Sequence, residues 1–245
     1  MIKIRKRFRN LLARPDQWEK IIKAATRMKA AAPFSPVSDH LTETANFGPN
    51  PGALRMFSHL PTALPDPCPL LVVLHGCTQS AAGYDLGAGW STLADRFGFA
   101  LLLPEQQRSN NPNGCFNWFQ SGDIERGHGE AASIRQMVAT MVSDHGIDPA
   151  RVFVTGLSAG GAMTPVMLAT YPEVFAGGAI IAGLPYGAAT NMQQAFKIMY
   201  QCPPRAARAG GELVRKASRH KGQSGGAIVL KLVNLIVDAI VRANR

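Results

Sequence analysis

The sequence predicts an α/β fold, a mostly parallel sheet flanked by helices, and three observations carry that reading. Leu70-Leu71-Val72-Val73-Leu74 and Ala100-Leu101-Leu102-Leu103 are uninterrupted apolar runs of the kind that fill strands buried on both faces. Helical patterns over residues 86–97 and 129–145 alternate with those runs, as crossover connections between parallel strands require. Val152-Phe153-Val154-Thr155 then leads through Gly156-Leu157-Ser158-Ala159-Gly160 into a small-residue helix over residues 162–170.

Whole-chain properties narrow the class. At 245 residues the chain suits one large domain with appendages. No apolar run reaches the roughly 18 residues that a membrane-crossing helix needs. The net charge of +10 is concentrated at the ends, with +8 over residues 1–29 and +7 over residues 205–245. The intervening stretch carries −5, so nucleic acid is not the expected partner. Membrane-surface contact by the two basic ends is the alternative use of that charge. Cys68, Cys77, Cys115 and Cys202 form no Cys-x-x-Cys pair and have no histidine at zinc-ligand spacing, so no metal or organic cofactor is expected. Met1-Ile2-Lys3-Ile4-Arg5-Lys6-Arg7 is not followed by an apolar stretch of signal-peptide length, and no Sec signal is visible.

Taken in order, residues 1–39 read as a basic arm followed by a helix over residues 16–31, started at Asp16 and stopped by Pro33 and Pro36. Two extended runs, 41–47 and 53–59, flank Gly48-Pro49-Asn50-Pro51-Gly52 and suggest a hairpin. The strand 70–74 ends in His75-Gly76-Cys77-Thr78-Gln79, a loop at the strand end where such sheets build their sites. After the helix 86–97 and strand 100–103 comes a long loop, 104–126, whose Trp118 and two phenylalanines favour an ordered site wall. The helix 129–145, strand 152–155, helix 162–170 and strand 178–182 follow, with further helices over 192–200 and 213–220. This order matches the first six strands of an α/β hydrolase, with a serine elbow after the fifth; strands seven and eight are missing.

The chemistry centres on Ser158. A nucleophile elbow turns so sharply that the residues two before and two after the serine can carry no side chain, and Gly156 and Gly160 meet that demand. The helix starting behind Ser158 aims free N–H groups and a positive dipole end at an oxyanion. Acyl transfer needs two such donors. Ala159 N–H is the expected first, and Cys77 N–H, from the loop after the third strand, the expected second. His75 reads as a structural imidazole holding that loop, since this fold places its base histidine after the nucleophile.

Four motifs in this order resemble the polyhydroxybutyrate depolymerase family of serine esterases: Leu74-His75-Gly76-Cys77-Thr78-Gln79, Pro104-Glu105-Gln106, Cys115-Phe116-Asn117-Trp118-Phe119 and Gly156-Leu157-Ser158-Ala159-Gly160-Gly161. The resemblance covers about residues 40–222. It implies an α/β hydrolase acting on esters of short hydroxyacids or on acylated polymers, and an extracellular location. It also implies a Cys77–Cys115 disulfide that locks the oxyanion loop to the aromatic loop.

The sequence departs from the pattern after Ser158. The triad order is Ser, acid, His, yet the only acids left are Glu173, Glu212 and Asp238 and the only histidine is His220. Glu173 follows the far end of the elbow helix, Asp238 comes after His220, and no strand separates Glu212 from His220. No triad Asp or His is identifiable. Residues 223–245 read as a non-family apolar helix over about 226–243, with Lys231, Asn234, Asp238 and Arg242 forming one polar stripe. The expectation is therefore a serine carboxylic-ester hydrolase truncated after about residue 222 and crippled by loss of its acid and base. Its rival is a non-catalytic remnant that binds acyl groups or protein partners.

Overall fold

The structure is a computed structural model that describes residues 38–201, 207–218 and 229–230. These belong to one compact unit, Pro36–Arg245. The N-terminal arm and the helix expected over residues 16–31 lie outside the described residues.

Strands β1 (Thr42–Thr44) and β2 (Arg55–His59) form the expected antiparallel hairpin. Strand β3 (Cys68–Leu74) is buried at every position, as its apolar run requires. Helices α1 (Ala81–Ala88) and α2 (Trp90–Phe97) replace the single helix expected over 86–97. The break is Gly89, whose φ of 71° ends α1 in the left-handed conformation. The start of α1 is set by Ser80, whose side chain accepts from Gly83 N–H. Strand β4 (Ala100–Glu105) leads into the long loop, which is ordered and holds a short helix, α3 (Ser121–Ile124).

Helix α4 (Gly129–Asp144), strand β5 (Ile147–Leu157), helix α5 (Ala159–Thr170) and strand β6 (Gly177–Ile181) complete the part of the fold that carries the serine. Helices α6 (Met192–Gln201) and α7 (Ala207–Ala217) follow. The sheet order is β1-β2-β4-β3-β5-β6-β7, antiparallel through β2 and β4 and parallel from β4 onward.

The two faces of the sheet have separate cores. Leu70, Val72, Leu102, Val152 and Val154 pack against Ile134, Met137 and Met141 of α4 and Met163 and Val166 of α5. Their alternates Leu71, Val73, Leu101 and Leu103 pack against Tyr84, Trp90, Ala94 and Phe99. Two covered faces explain why these strands read as continuous apolar runs instead of alternating ones. Each such aliphatic side chain contributes roughly 1.5–3 kcal/mol on burial.

The tail differs from expectation. Val229–Leu230 is a two-residue strand, β7, paired in parallel with Gly178 and Ala179 of β6. The helix expected over 226–243 is thus wrong at these two positions, and the seventh strand position is occupied. These two tail residues cover the β6 edge. A strand does so better than a helix because it pairs the N–H and C=O groups that a helix would leave open. Among the described residues no eighth strand follows.

Candidate active site

Ser158 stands between β5 and α5 with φ 54° and ψ −111°, a conformation that side chains rarely adopt. The strain persists because both sides of the turn are clamped. Ser158 N–H donates to the Ile181 carbonyl at the end of β6 (2.9 Å), and Ser158 C=O accepts from Ala162 N–H (2.8 Å). The flanking glycines permit the approach. A Cβ at Gly156 would lie 2.3 Å from the Gly160 carbonyl, and one at Gly160 only 2.1 Å from the Leu74 carbonyl oxygen. The serine side chain projects into a cavity of about 320 Å³ whose apolar walls include Trp118, Phe119, Leu184, Met192 and Ile198. Among the described residues its hydroxyl has no hydrogen-bond partner.

The loop after β3 lies beside Ser158: a Cβ on Gly76 would stand 3.6 Å from Ser158 Cβ. Within this loop the amides are already sorted. Gly76 N–H donates to Gln79 Oε1 (2.7 Å) and Thr78 N–H to the Asn113 carbonyl (2.8 Å). Cys77 N–H has no acceptor among the described residues. Ala159 N–H, in the first turn of α5, has no partner available within its helix. Both residues line the cavity with Ser158. Cys77 and Cys115 are joined by a disulfide with Cα atoms 4.2 Å apart, so the bridge implied by the family resemblance is present. Cys68 is a buried free thiol whose pKa burial pushes up. Cys202 lies outside the described residues.

His75 is buried with both ring nitrogens engaged. Nε2 accepts from Gln106 N–H (3.1 Å), so Nδ1 carries the proton and donates to the Gly76 carbonyl (2.8 Å). Burial holds its pKa below the ordinary histidine range. A neutral imidazole with neither nitrogen free has no lone pair to offer a serine. It is a strut under the Cys77 loop.

Among the described residues, none that lines the cavity is a histidine, an aspartate or a glutamate. Glu173 instead pairs with Arg126, which also donates to the Thr170 carbonyl (2.7 Å) at the far end of α5. His220 and Asp238 lie outside the described residues. No group of three or more His, Cys, Asp or Glu suited to a metal occurs among the described residues. In the same set, no helix is long and apolar enough to cross a membrane.

Sequence reasoning missed the polar scaffold behind this site. Glu130, Gln106, Asn111 and Asn117 are all buried. Glu130 accepts from Gln106 Nε2 and from Asn117 N–H (2.9 Å), and Asn117 Oδ1 accepts from Asn111 Nδ2 (2.9 Å). Burial first, and the nearby Asp123 second, push the Glu130 carboxyl up to about 8. The only sequence signal was Pro104-Glu105-Gln106 itself, an acid and an amide following a buried strand.

A family model described as Esterase PHB depolymerase matches residues 56–239. The chain belongs to that family. The match passes the boundary near residue 222 that the sequence motifs gave, and it includes β7. The chain is similar to poly(3-hydroxyalkanoate) depolymerase C of Paucimonas lemoignei, with 55% identity over 175 residues, 71% of this chain and 42% of that protein. Feruloyl esterase B of Talaromyces funiculosus is 35% identical over 160 residues, 65% of this chain and 44% of that protein. In three dimensions the chain resembles acetyl xylan esterase from Aspergillus awamori, with a TM-score of 0.69 and 28% identity over 74% of this chain and 68% of that one. The chain spans about half the length, or less, of the curated relatives it matches.

Proposed function

We propose that this chain carries the nucleophile and oxyanion site of a serine carboxylic-ester hydrolase. Ser158 Oγ attacks the ester carbonyl, and the oxygen that becomes negative is received by the N–H groups of Ala159 and Cys77. As the alkoxide collapses the ester C–O bond breaks, and the leaving oxygen takes up the proton that Ser158 Oγ gave up and departs as alcohol. Water later cleaves the acyl–Oγ bond, releasing a carboxylic acid and restoring the Ser158 hydroxyl. The apolar cavity takes the acyl or alcohol portion of the ester. The observation that carries this reading is the pair of N–H groups, on Ala159 and Cys77, without partners among the described residues, beside a strained serine in one cavity.

The substrate class follows from the relatives' names: a polyester of short hydroxyacids or an acylated polymer, which favours an extracellular setting. Serine attack also needs a base, and the described residues of the cavity lining supply none. This observation favours a second reading, in which the chain binds acyl groups or a protein partner without turning them over. A fluorophosphonate probe separates the two. Labelling at Ser158, abolished by Ser158→Ala, supports the hydrolase; a folded chain that stays unlabelled supports binding alone.

A further inference from the structure

We infer that Glu130 is a positioning residue that holds the Cys77 loop and the wall formed by Trp118 and Phe119 in register beside Ser158. The inference rests on the oxyanion reading above and extends it to a residue outside the cavity. Glu130 is 1% exposed, and a carboxyl so deeply buried is costly unless its oxygens are used. Both are used, and neither serves its own helix. One takes Gln106 Nε2 and the other the backbone N–H of Asn117, immediately before Trp118.

From those two contacts, two paths run to the same loop. Gln106 Nε2 also donates to the Cys115 carbonyl (3.1 Å), and Cys115 is bridged to Cys77. Gln106 N–H meets His75, which in turn holds Gly76. The amide of Gln106 can face only one way, because its Oε1 already accepts from Gln107 N–H (2.9 Å) and Asn110 Nδ2 (2.8 Å). The second path runs from Asn117 Oδ1 to Asn111, whose Oδ1 accepts from Asn113 N–H (3.0 Å). The Asn113 carbonyl then takes Thr78 N–H, one residue past Cys77. Removing the carboxyl group leaves both paths without their common anchor.

The test is Glu130→Gln in the full chain, which keeps the shape but sets an NH2 group against one of two donors. Gln106→Met removes the same contact from the other side and decides the matter if the first variant does not fold. Hydrogen–deuterium exchange is followed over residues 76–79 and 113–119, with β3 and β5 as internal references. The expected result is exchange faster by about tenfold or more in those two segments alone. The rate of Ser158 labelling should fall by about tenfold to a hundredfold, as displacement of a reacting geometry does. Unchanged exchange in both segments overturns the inference. So does acceleration spread equally over β3 and β5, which would mark a general loss of stability. Faster exchange with an unchanged labelling rate also overturns it, because the register with Ser158 would not depend on Glu130. A wild-type chain that does not label removes the Ser158 reading instead, and exchange alone then decides what Glu130 holds.

Discussion

Gly160 lies backbone to backbone against Leu74, so close that a Cβ at position 160 would stand 2.1 Å from the Leu74 carbonyl oxygen. The contact joins the helix behind Ser158 to the strand that ends in the His75-Gly76-Cys77 loop. The serine and the loop therefore share one rigid joint, and neither moves without the other.

Gly160→Ala should break that joint. Leu74 is fully buried in a strand paired on both sides, so its carbonyl cannot yield. Overpacking of this kind costs about 1–3 kcal/mol or more, and Ser158 labelling should be lost with it. Gly87→Ala is the control, since a Cβ there meets nothing within 4 Å and position 87 lies on an exposed part of α1. It should stabilise by about 0.5–1 kcal/mol. Urea melts of the two variants check both signs.

Ser158 itself should respond differently to alanine and glycine. Its φ of 54° is strained for any side chain, and alanine keeps the strain while removing the hydroxyl. Glycine relieves a strain of about 1–3 kcal/mol against a backbone-entropy loss of about 0.5–1 kcal/mol. Ser158→Gly should melt higher than Ser158→Ala, and neither should react with a fluorophosphonate. Equal melting temperatures would show that the strain at this turn is no larger than the backbone-entropy loss that glycine brings.

Much of this arrangement was legible in the sequence, and the reasons are physical. The strands β3, β4 and β5 announced themselves because burial on both faces forces unbroken apolar runs. The elbow did so because Gly156 and Gly160 cannot be replaced where backbones touch. The break at Gly89 was missed because one glycine within a periodic stretch carries little weight against the pattern. Strand β7 was missed because the apolar residues around Val229 fit a helix as well as a strand, and only the open edge of β6 decides between them. The Glu130 scaffold had no signal beyond Pro104-Glu105-Gln106: Gln106, Asn111, Asn117 and Glu130 are scattered over 25 residues, and only the folded loop brings them together.

The Cys77–Cys115 bridge should matter to stability and to the site. It closes a loop across a sequence separation of 38 residues, for which the chain-entropy model gives about 4 kcal/mol. The Cys77→Ser, Cys115→Ser double variant should lose about 2–4 kcal/mol in chemical denaturation. Reductant added to wild-type protein should slow Ser158 labelling, and added to the double variant should change nothing. A reductant effect of equal size in both would place the sensitive group elsewhere.

Stability should also fall with rising pH, through Glu130. Its carboxyl titrates near 4.5 in the unfolded chain and is pushed up to about 8 in the fold, chiefly by burial. Between those values the folded protein holds a proton that the unfolded chain has released. The contribution of Glu130 is therefore fully present below about 4.5 and lost as pH rises through about 8. The slope is about 1.4 kcal/mol per pH unit, up to about 5 kcal/mol in all. His75 acts in the opposite sense: its depressed pKa penalises the fold at acid pH and ceases to matter above its ordinary value of 6.5. The comparison is cleanest from about pH 6.5 to 8, where the Glu130 slope stands alone of the two. Asp123, also pushed up by burial, titrates in the same direction from a lower starting point and is common to both proteins compared. Urea midpoints of wild type should decline across this window, and those of Glu130→Gln should stay level. A parallel decline in the two proteins would mean that another group carries the pH dependence.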